Sequence, residues 1–154
     1  MNRLKLVGIE LQGFRKFREP FTLELRSPKG EAFDYFVLAG PNGCGKTTLL
    51  ESILLALGCD DLLVRDVDAK ERATSPRLRL EAGAQLTATL RDLETMRDYR
   101  VRRTAESHLV SYVDVDATVT RDWALLAEKI APPVEYLSSR RVPAAVGPVQ
   151  DSVR

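Results

Sequence analysis

The sequence predicts an α/β fold in which a strand leads through a glycine-rich turn into a helix, and three observations support this prediction. The stretch FVLAGPNGCGKTTLLESILLAL, residues 36–57, passes from an apolar run through the turn into a pattern with helical spacing. The segments FTLEL (21–25) and AQLTATL (84–90) alternate, as half-buried strands do. A length of 154 residues suits one ordinary domain with a real core.

Composition excludes little beyond a membrane-embedded or strongly charged protein. Hydrophobic residues make up 44% of the chain, and 23 Lys and Arg against 22 Asp and Glu leave a net charge of +1. This balance gives no global argument for binding nucleic acid or membrane. No apolar run approaches the roughly 18 residues of a membrane-spanning helix, and the N-terminal stretch lacks a signal-peptide core, so cytoplasmic residence is predicted. Cys44 and Cys59 form no metal pattern and are predicted to be free thiols.

Three strands are predicted before the glycine-rich turn. Residues 4–11, LKLVGIEL, form an apolar-rich run, and FTLEL places Phe21, Leu23 and Leu25 on one face. The short continuous apolar run YFVLA, residues 35–39, is typical of a strand that is buried on both faces.

A helix is predicted after the turn, and antiparallel strands after the helix. Gly58 stands where a helix C-terminal cap is expected, and the apolar positions of the helix are Leu49, Leu50, Ile53, Leu54 and Leu57. Residues 59–76 indicate a loop or short helix. Between Leu78 and Thr120, alternation and β-branched residues favour several antiparallel strands.

The end of the sequence predicts one more helix and one more strand. RDWALLAEKIA, residues 121–131, has helical spacing and is stopped by two prolines, with Trp123, Leu125 and Leu126 expected in the core. VEYLSS, residues 134–139, is a last strand candidate.

The glycine-rich turn fits the phosphate-loop pattern G-x-x-x-x-G-K-[ST] from Gly40 to Thr47. Gly40, Gly43 and Gly45 let the backbone turn tightly and direct its N–H groups inward, and the helix that starts near Lys46 adds its positive dipole end. A glycine turn that merely joins strand to helix has no reason to place a Lys and two Thr at the helix start. The pattern therefore predicts a nucleotide site.

Each polar residue at the helix start has an expected role. Lys46 reaches the β- and γ-phosphates and is the candidate catalytic residue, the Thr47 hydroxyl ligates Mg²⁺, and Thr48 donates to the α-phosphate. The expected cofactors are ATP and Mg²⁺. The loop residues assigned to them are Gly40, Pro41, Asn42, Gly43, Cys44, Gly45, Lys46, Thr47 and Thr48.

Two segments carry a resemblance to a known family, LVGIELQGFRKFREPFTLEL and VLAGPNGCGKTTLLESILLAL. Through them the chain resembles the N-terminal lobe of ABC-type ATPase heads in the SMC, RecF and OLD-like families, which are P-loop NTPases of the AAA family. These heads open with a strand, a Gly/Asn-Phe-Arg turn, a second strand and a G-x-N-G-x-G-K-[ST] loop. Here the turn is Gly13-Phe14-Arg15, and Asn42 occupies the expected loop position. The resemblance covers residues 4–58 and is weak over residues 59–133.

The resemblance implies a P-loop NTPase fold with a mixed central sheet and an added antiparallel β-layer. It implies that Arg15, with Lys16 as a further candidate, approaches the nucleotide and that Asn42 lies near the γ-phosphate. Residues 1–154 are then one partial ATPase head. Residues 1–58 hold strands, the Walker A loop and its helix, residues 59–133 are β-rich and helical, and residues 134–154 form a strand and tail that lead toward a second half.

The catalytic carboxylates of these families have no counterpart here. A carboxylate must help to hold Mg²⁺ and another must orient the attacking water, and in the resembled heads they end an apolar Asp-Glu strand. In LVSYVDVDAT, residues 109–118, strict alternation indicates a strand with one wet face, so Asp114 and Asp116 are rejected for this role. No signature motif is present, and Gln150 is the only downstream candidate for the glutamine loop.

The resemblance implies a partner, either a second ATPase head or a C-terminal lobe, and a role in DNA repair, chromosome maintenance or phage defence. Nucleic acid is a further possible partner, through Arg77 with Arg79 on one predicted strand face and Arg100 with Arg102 on another, although interspersed acids favour a solvated face. His108 is expected to be a surface or satisfied buried imidazole rather than a metal ligand.

Two other functions stay open at this point. A self-contained small P-loop kinase would need a basic lid over its site, and Arg65, Lys70 and Arg72 are candidates for that lid. A non-enzymatic regulator would bind the nucleotide only to order an interaction surface.

Overall fold

A computed structural model describes residues 4–64, 68–72 and 74–130 of the chain. Six strands and four helices occur in these ranges, together with a short 3₁₀ turn at Pro76–Leu78. The strands are β1 (Leu4–Gln12), β2 (Phe21–Glu24), β3 (Gln85–Asp92), β4 (Asp98–Arg103), β5 (His108–Asp114) and β6 (Ala117–Asp122). The helices are α1 (Lys46–Ala56), α2 (Asp60–Leu63), α3 (Ala69–Arg72) and α4 (Trp123–Ile130). No helix in these ranges is both long enough and apolar enough to cross a membrane.

The strands form one sheet in the order β2-β1-β3-β4-β5-β6, and all of its pairs are antiparallel. Strand alternation turns one face of the sheet toward α1, while the opposite face carries polar side chains such as Thr87 and Thr89. The face under α1 is apolar, and each leucine buried there contributes about 2 kcal/mol through the hydrophobic effect. The core on this side includes Ile9, Leu11, Leu86, Ala88, Leu90, Val101 and Val110 of the sheet, packed with Leu49, Leu54 and Leu55 of α1.

The C-terminal end of α1 is joined to the sheet by hydrogen bonds. Gly58 takes the left-handed conformation (φ 74°) that commonly ends a helix, as its sequence position predicts. Three side chains then reach the last carbonyls. Arg103 of β4 donates to Leu55 O at 2.8 Å, His108 of β5 donates from Nε2 to Ala56 O at 2.7 Å, and Trp123 donates from Nε1 to Leu57 O at 3.1 Å.

The prediction of a buried strand at YFVLA is wrong. Residues 35–39 pair with no strand in the described part of the chain, and the expected mixed sheet is a purely antiparallel one there. Tyr35 is 84% exposed and Val37 82% exposed, while Leu38 packs against the core. A continuous apolar run becomes a buried strand only where neighbouring strands take up its N–H and C=O groups and cover both faces.

Several finer predictions are also corrected. Leu50 and Leu125 face solvent, whereas Glu51 and Ser52 are buried. Arg77 and Arg79 do not lie on a strand, because Arg77 belongs to the 3₁₀ turn. Other predictions are confirmed: Trp123 is buried, His108 is a satisfied imidazole, and both cysteines are free. The strand candidate at residues 134–139, the tail to residue 154, Gln150 and Arg65 lie outside the described residues.

Candidate functional site

The backbone of the loop between residue 40 and α1 requires glycine at several points. Gly43 and Gly45 have φ of 81° and 106°, a region that side chains with a Cβ rarely adopt. A Cβ added to Gly40 would lie 2.8 Å from the Cys44 Sγ, and one added to Gly45 would lie 3.3 Å from the Phe17 ring. The glycines thus leave room around the loop that any other residue would fill.

The N-terminal end of α1 is prepared for an anion. Gly45 is its N-cap and provides no side-chain cap, and the first turn contains no acidic residue. The N–H of Leu49 makes a bond of 2.9 Å to Gly45 O, which leaves the N–H groups of the preceding residues without an intrahelical partner. These N–H groups and the helix dipole together favour bound negative charge at this end.

Lys46 turns back over the loop. Its Nζ donates to Gly40 O at 2.5 Å and to Pro41 O at 2.8 Å, and the Cys44 Sγ lies 3.7 Å away. The ammonium group is therefore held against the loop carbonyls, and the Lys46 side chain lines the same cavity as Thr47 and Thr48 at the helix start. This is the place where a phosphate on the helix N-terminus would meet a positive charge.

A cavity of about 180 Å³ lies along the loop. It is lined by Lys16, Asn42, Gly43, Gly45, Lys46, Thr47 and Thr48, and none of these residues is acidic. Small residues, hydroxyls, an amide and two ammonium groups match a phosphate chain, and the Thr47 hydroxyl supplies an oxygen ligand suited to Mg²⁺. The residues present fit the phosphate chain of ATP with Mg²⁺.

Arg15 does not line this cavity, although the resemblance implies that it approaches the nucleotide. Its guanidinium is paired with the carboxylate of Glu51 on α1 and also bonds Arg77 O at 3.0 Å. Lys16, the next residue, instead donates from Nζ to Gly43 O in the loop. The sequence places two basic residues in the turn, but it does not tell which of two consecutive side chains faces the loop.

Glu51 is the residue near the site that sequence reasoning missed. Only 3% of the residue is exposed, and its two oxygens accept from Arg15 and Arg77. Burial alone would raise the pKa of Glu51, but the bonds and charges of the two arginines outweigh it and hold the pKa below the ordinary 4.5. The carboxylate is therefore ionised and fully used at neutral pH. The sequence did contain a signal for this buried carboxylate, because Glu51 stands among the apolar residues of the predicted helix.

Carboxylates for metal-assisted hydrolysis are not assembled in the described residues. In those ranges no group of three or more His, Cys, Asp and Glu side chains is arranged to hold a metal ion. Asp114 ends β5, accepts a hydrogen bond from Arg97 at 3.1 Å and is not among the described residues that line the loop cavity. Within the described ranges, the loop cavity is lined by groups suited to phosphate and by no carboxylate that could activate water.

A larger cavity of about 520 Å³ lies on the outer face of the sheet, over β4, β5 and β6. Arg100 and Arg102 line it, but Arg100 is bonded to Glu10 at 2.5 Å and Asp98 also contributes to the lining. It contains no glycine turn and no helix N-terminus. Mixed charge of this kind gives no support to nucleic-acid binding at these arginines.

The geometry described above defines a phosphate-loop domain. A family model described as "AAA domain" matches residues 9–123, more than half of the chain, and this span includes the whole loop. The chain belongs to this family and is a nucleotide-binding, ATPase-like domain of the P-loop type. No curated protein matches it.

Proposed function

We propose that this domain binds ATP with Mg²⁺ at Gly40–Thr48 and acts as one lobe of an ABC-type ATPase head. The observation that carries the proposal is the uncapped N-terminus of α1, with a glycine loop before it and the Lys46 side chain lining the same cavity. Lys46 binds the β- and γ-phosphates, the Thr47 hydroxyl ligates Mg²⁺, and Thr48 donates to the α-phosphate. When bound, Mg²⁺ neutralises charge on the phosphates.

Hydrolysis is proposed to need groups from a second lobe or a second head. Two observations support this. None of the described residues that line the loop cavity is acidic, so none of them can serve as the carboxylate that activates the attacking water. The segment just before the loop also exposes a run of aromatic and aliphatic side chains, namely Phe33, Tyr35, Phe36 and Val37. Residues 35–39 of this run pair with no strand in the described part of the chain, and an exposed apolar segment of this kind is typical of a surface that another chain segment covers.

We further propose that two such heads enclose two nucleotides and separate after hydrolysis, with a role in DNA repair, chromosome maintenance or phage defence. The biological role rests on the family resemblance alone. Stimulation of the completed ATPase by duplex DNA would support the DNA-linked roles, and indifference to DNA would count against them.

Calorimetric titration with ATP, with and without Mg²⁺, tests the binding site. The wild-type domain is expected to bind ATP more tightly with Mg²⁺, and Lys46→Ala is expected to weaken binding at least about tenfold because a charge-assisted bond to phosphate is lost. Lys29→Ala removes an exposed lysine that does not line the cavity and should leave the affinity unchanged. Equal ATP affinity in the wild type and Lys46→Ala would refute the site.

The rate of ATP hydrolysis by the domain alone tests the need for a partner. We expect binding without steady turnover, because the water-activating carboxylate is not among the residues that line the loop cavity. Rapid hydrolysis by a monomer, verified by light scattering, would contradict completion by a second lobe.

A further inference from the structure

A tight turn between β1 and β2 lies directly against the phosphate loop. Phe14 and Phe17 exchange two backbone bonds, of 3.1 and 2.9 Å, so Arg15 and Lys16 are the two central residues of the turn. Arg15 has a φ of 49°, in the left-handed region that favours glycine. The two backbone bonds of the turn support this conformation, and contacts of the arginine side chain add to that support.

Those contacts come from the buried carboxylate of Glu51. It pairs with Arg15 through one oxygen and with Arg77 through the other. Arg77 in turn donates to Leu63 O at 2.7 Å, and its own carbonyl accepts from Arg15. We name Arg15, Glu51 and Arg77 the turn clamp. The clamp ties the turn, α1 and the 3₁₀ turn together, and it fixes the backbone of Arg15.

Fixing Arg15 determines where the next two residues lie. Lys16 Nζ bonds the Gly43 carbonyl, and the Phe17 ring lies against Gly45. Lys16 and Lys46 therefore line the same cavity from different elements, one from the β1–β2 turn and the other from the start of α1. Two ammonium groups and a helix N-terminus suit the several negative charges of a polyphosphate better than one ammonium group does.

We propose that Lys16 is a second phosphate-binding group of this site and that Glu51 is a positioning residue, which holds Lys16 in place through Arg15. This inference rests on the proposed nucleotide binding. It replaces Arg15 with Lys16 as the basic residue of the turn that contacts the phosphates. It also gives the buried Glu51 a role in affinity, beyond its role in stability.

Titration of Mg²⁺-ATP into a set of variants tests the role of Lys16. Lys16→Met should weaken binding roughly tenfold, Lys16→Arg should restore most of the affinity because it keeps the charge, and Lys29→Met should change nothing. If Lys16→Met binds ATP as the wild type does while Lys46→Ala does not, the inference fails and the proposed function stands. If the wild type itself does not bind ATP, the proposed function fails.

A double-mutant cycle tests the positioning role of Glu51. Glu51→Gln should weaken ATP binding by several fold in the wild type and by less than about twofold in the Lys16→Met background, since both changes remove the same contact. A merely structural Glu51 would give additive losses, or would leave ATP affinity unchanged in the folded protein; either result overturns the positioning role. Arg15→Ala, at a partly exposed residue, repeats the cycle if Glu51→Gln does not fold, as judged by circular dichroism.

Discussion

The two ends of α1 differ in how their free backbone groups are satisfied. At the C-terminal end, Arg103, His108 and Trp123 bond three successive carbonyls, and Gly58 ends the helix. At the N-terminal end, Gly45 offers no side-chain cap, and the first turn has no acidic residue. One end is satisfied by residues within the domain, and the other leaves its donors available to a ligand.

This difference separates stability from binding along a single helix. Changes at the C-terminal end should alter the free energy of unfolding and leave ATP affinity in the folded protein unchanged. Changes at the N-terminal end should lower ATP affinity beyond any loss of stability. The following predictions test that separation.

The largest effect is expected from Trp123→Ala. Trp123 is fully buried and bonds Leu57 O, so its removal leaves a cavity and an unpaired carbonyl, and the free energy of unfolding should fall by about 3–5 kcal/mol. Urea denaturation measures the change. Leu125→Ala on the same helix is the control, because Leu125 is 70% exposed and should cost no more than about 0.5 kcal/mol. Equal losses for the two variants would contradict the anchoring of α1 by Trp123.

A smaller effect is expected from Gly45→Ala, at the other end of the helix. The φ of 106° strains any residue with a Cβ, and the added methyl group meets Phe17 at 3.3 Å. ATP affinity should fall roughly tenfold or more, because the loop and the helix start move apart. Gly83→Ala is a matched control with a φ of 84° and no atom within 4 Å of the added Cβ. It should lose stability but keep its ATP affinity, and a comparable affinity loss in both variants would refute a local effect.

The smallest effect is expected from pH acting on His108, the only histidine of the chain. Burial lowers its pKa below the ordinary 6.5, with Arg103 adding to the shift, while the bond to Ala56 O and the charges of Asp60 and Asp122 oppose it. The folded state thus binds fewer protons than the unfolded chain. The stability from this group is complete above pH 6.5 and is lost as the pH falls through the lowered pKa.

His108→Gln keeps a donor for Ala56 O and removes the titration. Between pH 7.5 and 5.5 the wild type should therefore lose more thermal stability than the variant, as measured by melting temperature. The carboxylates whose pKa is lowered, such as Glu51 and Asp98, titrate below this range. Parallel pH profiles for the two proteins would show that His108 is not buried in its neutral form.

Local patterns predicted those parts of the fold that depend on local chemistry. Alternation at FTLEL and AQLTATL gave β2 and β3, and the position of Gly58 gave the end of α1, because period and cap are properties of a few neighbouring residues. The phosphate loop was also predicted from a local pattern, because the spacing of its glycines and lysine involves only a few neighbouring residues.

The predictions that failed depend on contacts with distant parts of the chain. YFVLA has the composition of a buried strand, but a strand needs neighbours, and none lies beside residues 35–39 in the described ranges. Arg15 and Lys16 are chemically similar neighbours in the sequence. The buried Glu51, 36 residues away from Arg15, pairs with the Arg15 side chain, and Lys16 is left to contact the loop. Leu125 was expected in the core because of its helical spacing, but it is exposed. The spacing of apolar residues does not tell how much of α4 the sheet covers.

Amide hydrogen exchange with and without Mg²⁺-ATP measures most directly whether the open end of α1 is the ligand site. Residues 40–49 should become protected on adding the nucleotide, together with the turn at residues 14–17, because their N–H groups and side chains meet the phosphates. The C-terminal end of α1 should change little. Protection confined to β4, β5 and β6, around the larger outer cavity, or no protection of residues 40–49 at saturating ATP, would contradict phosphate binding at the loop.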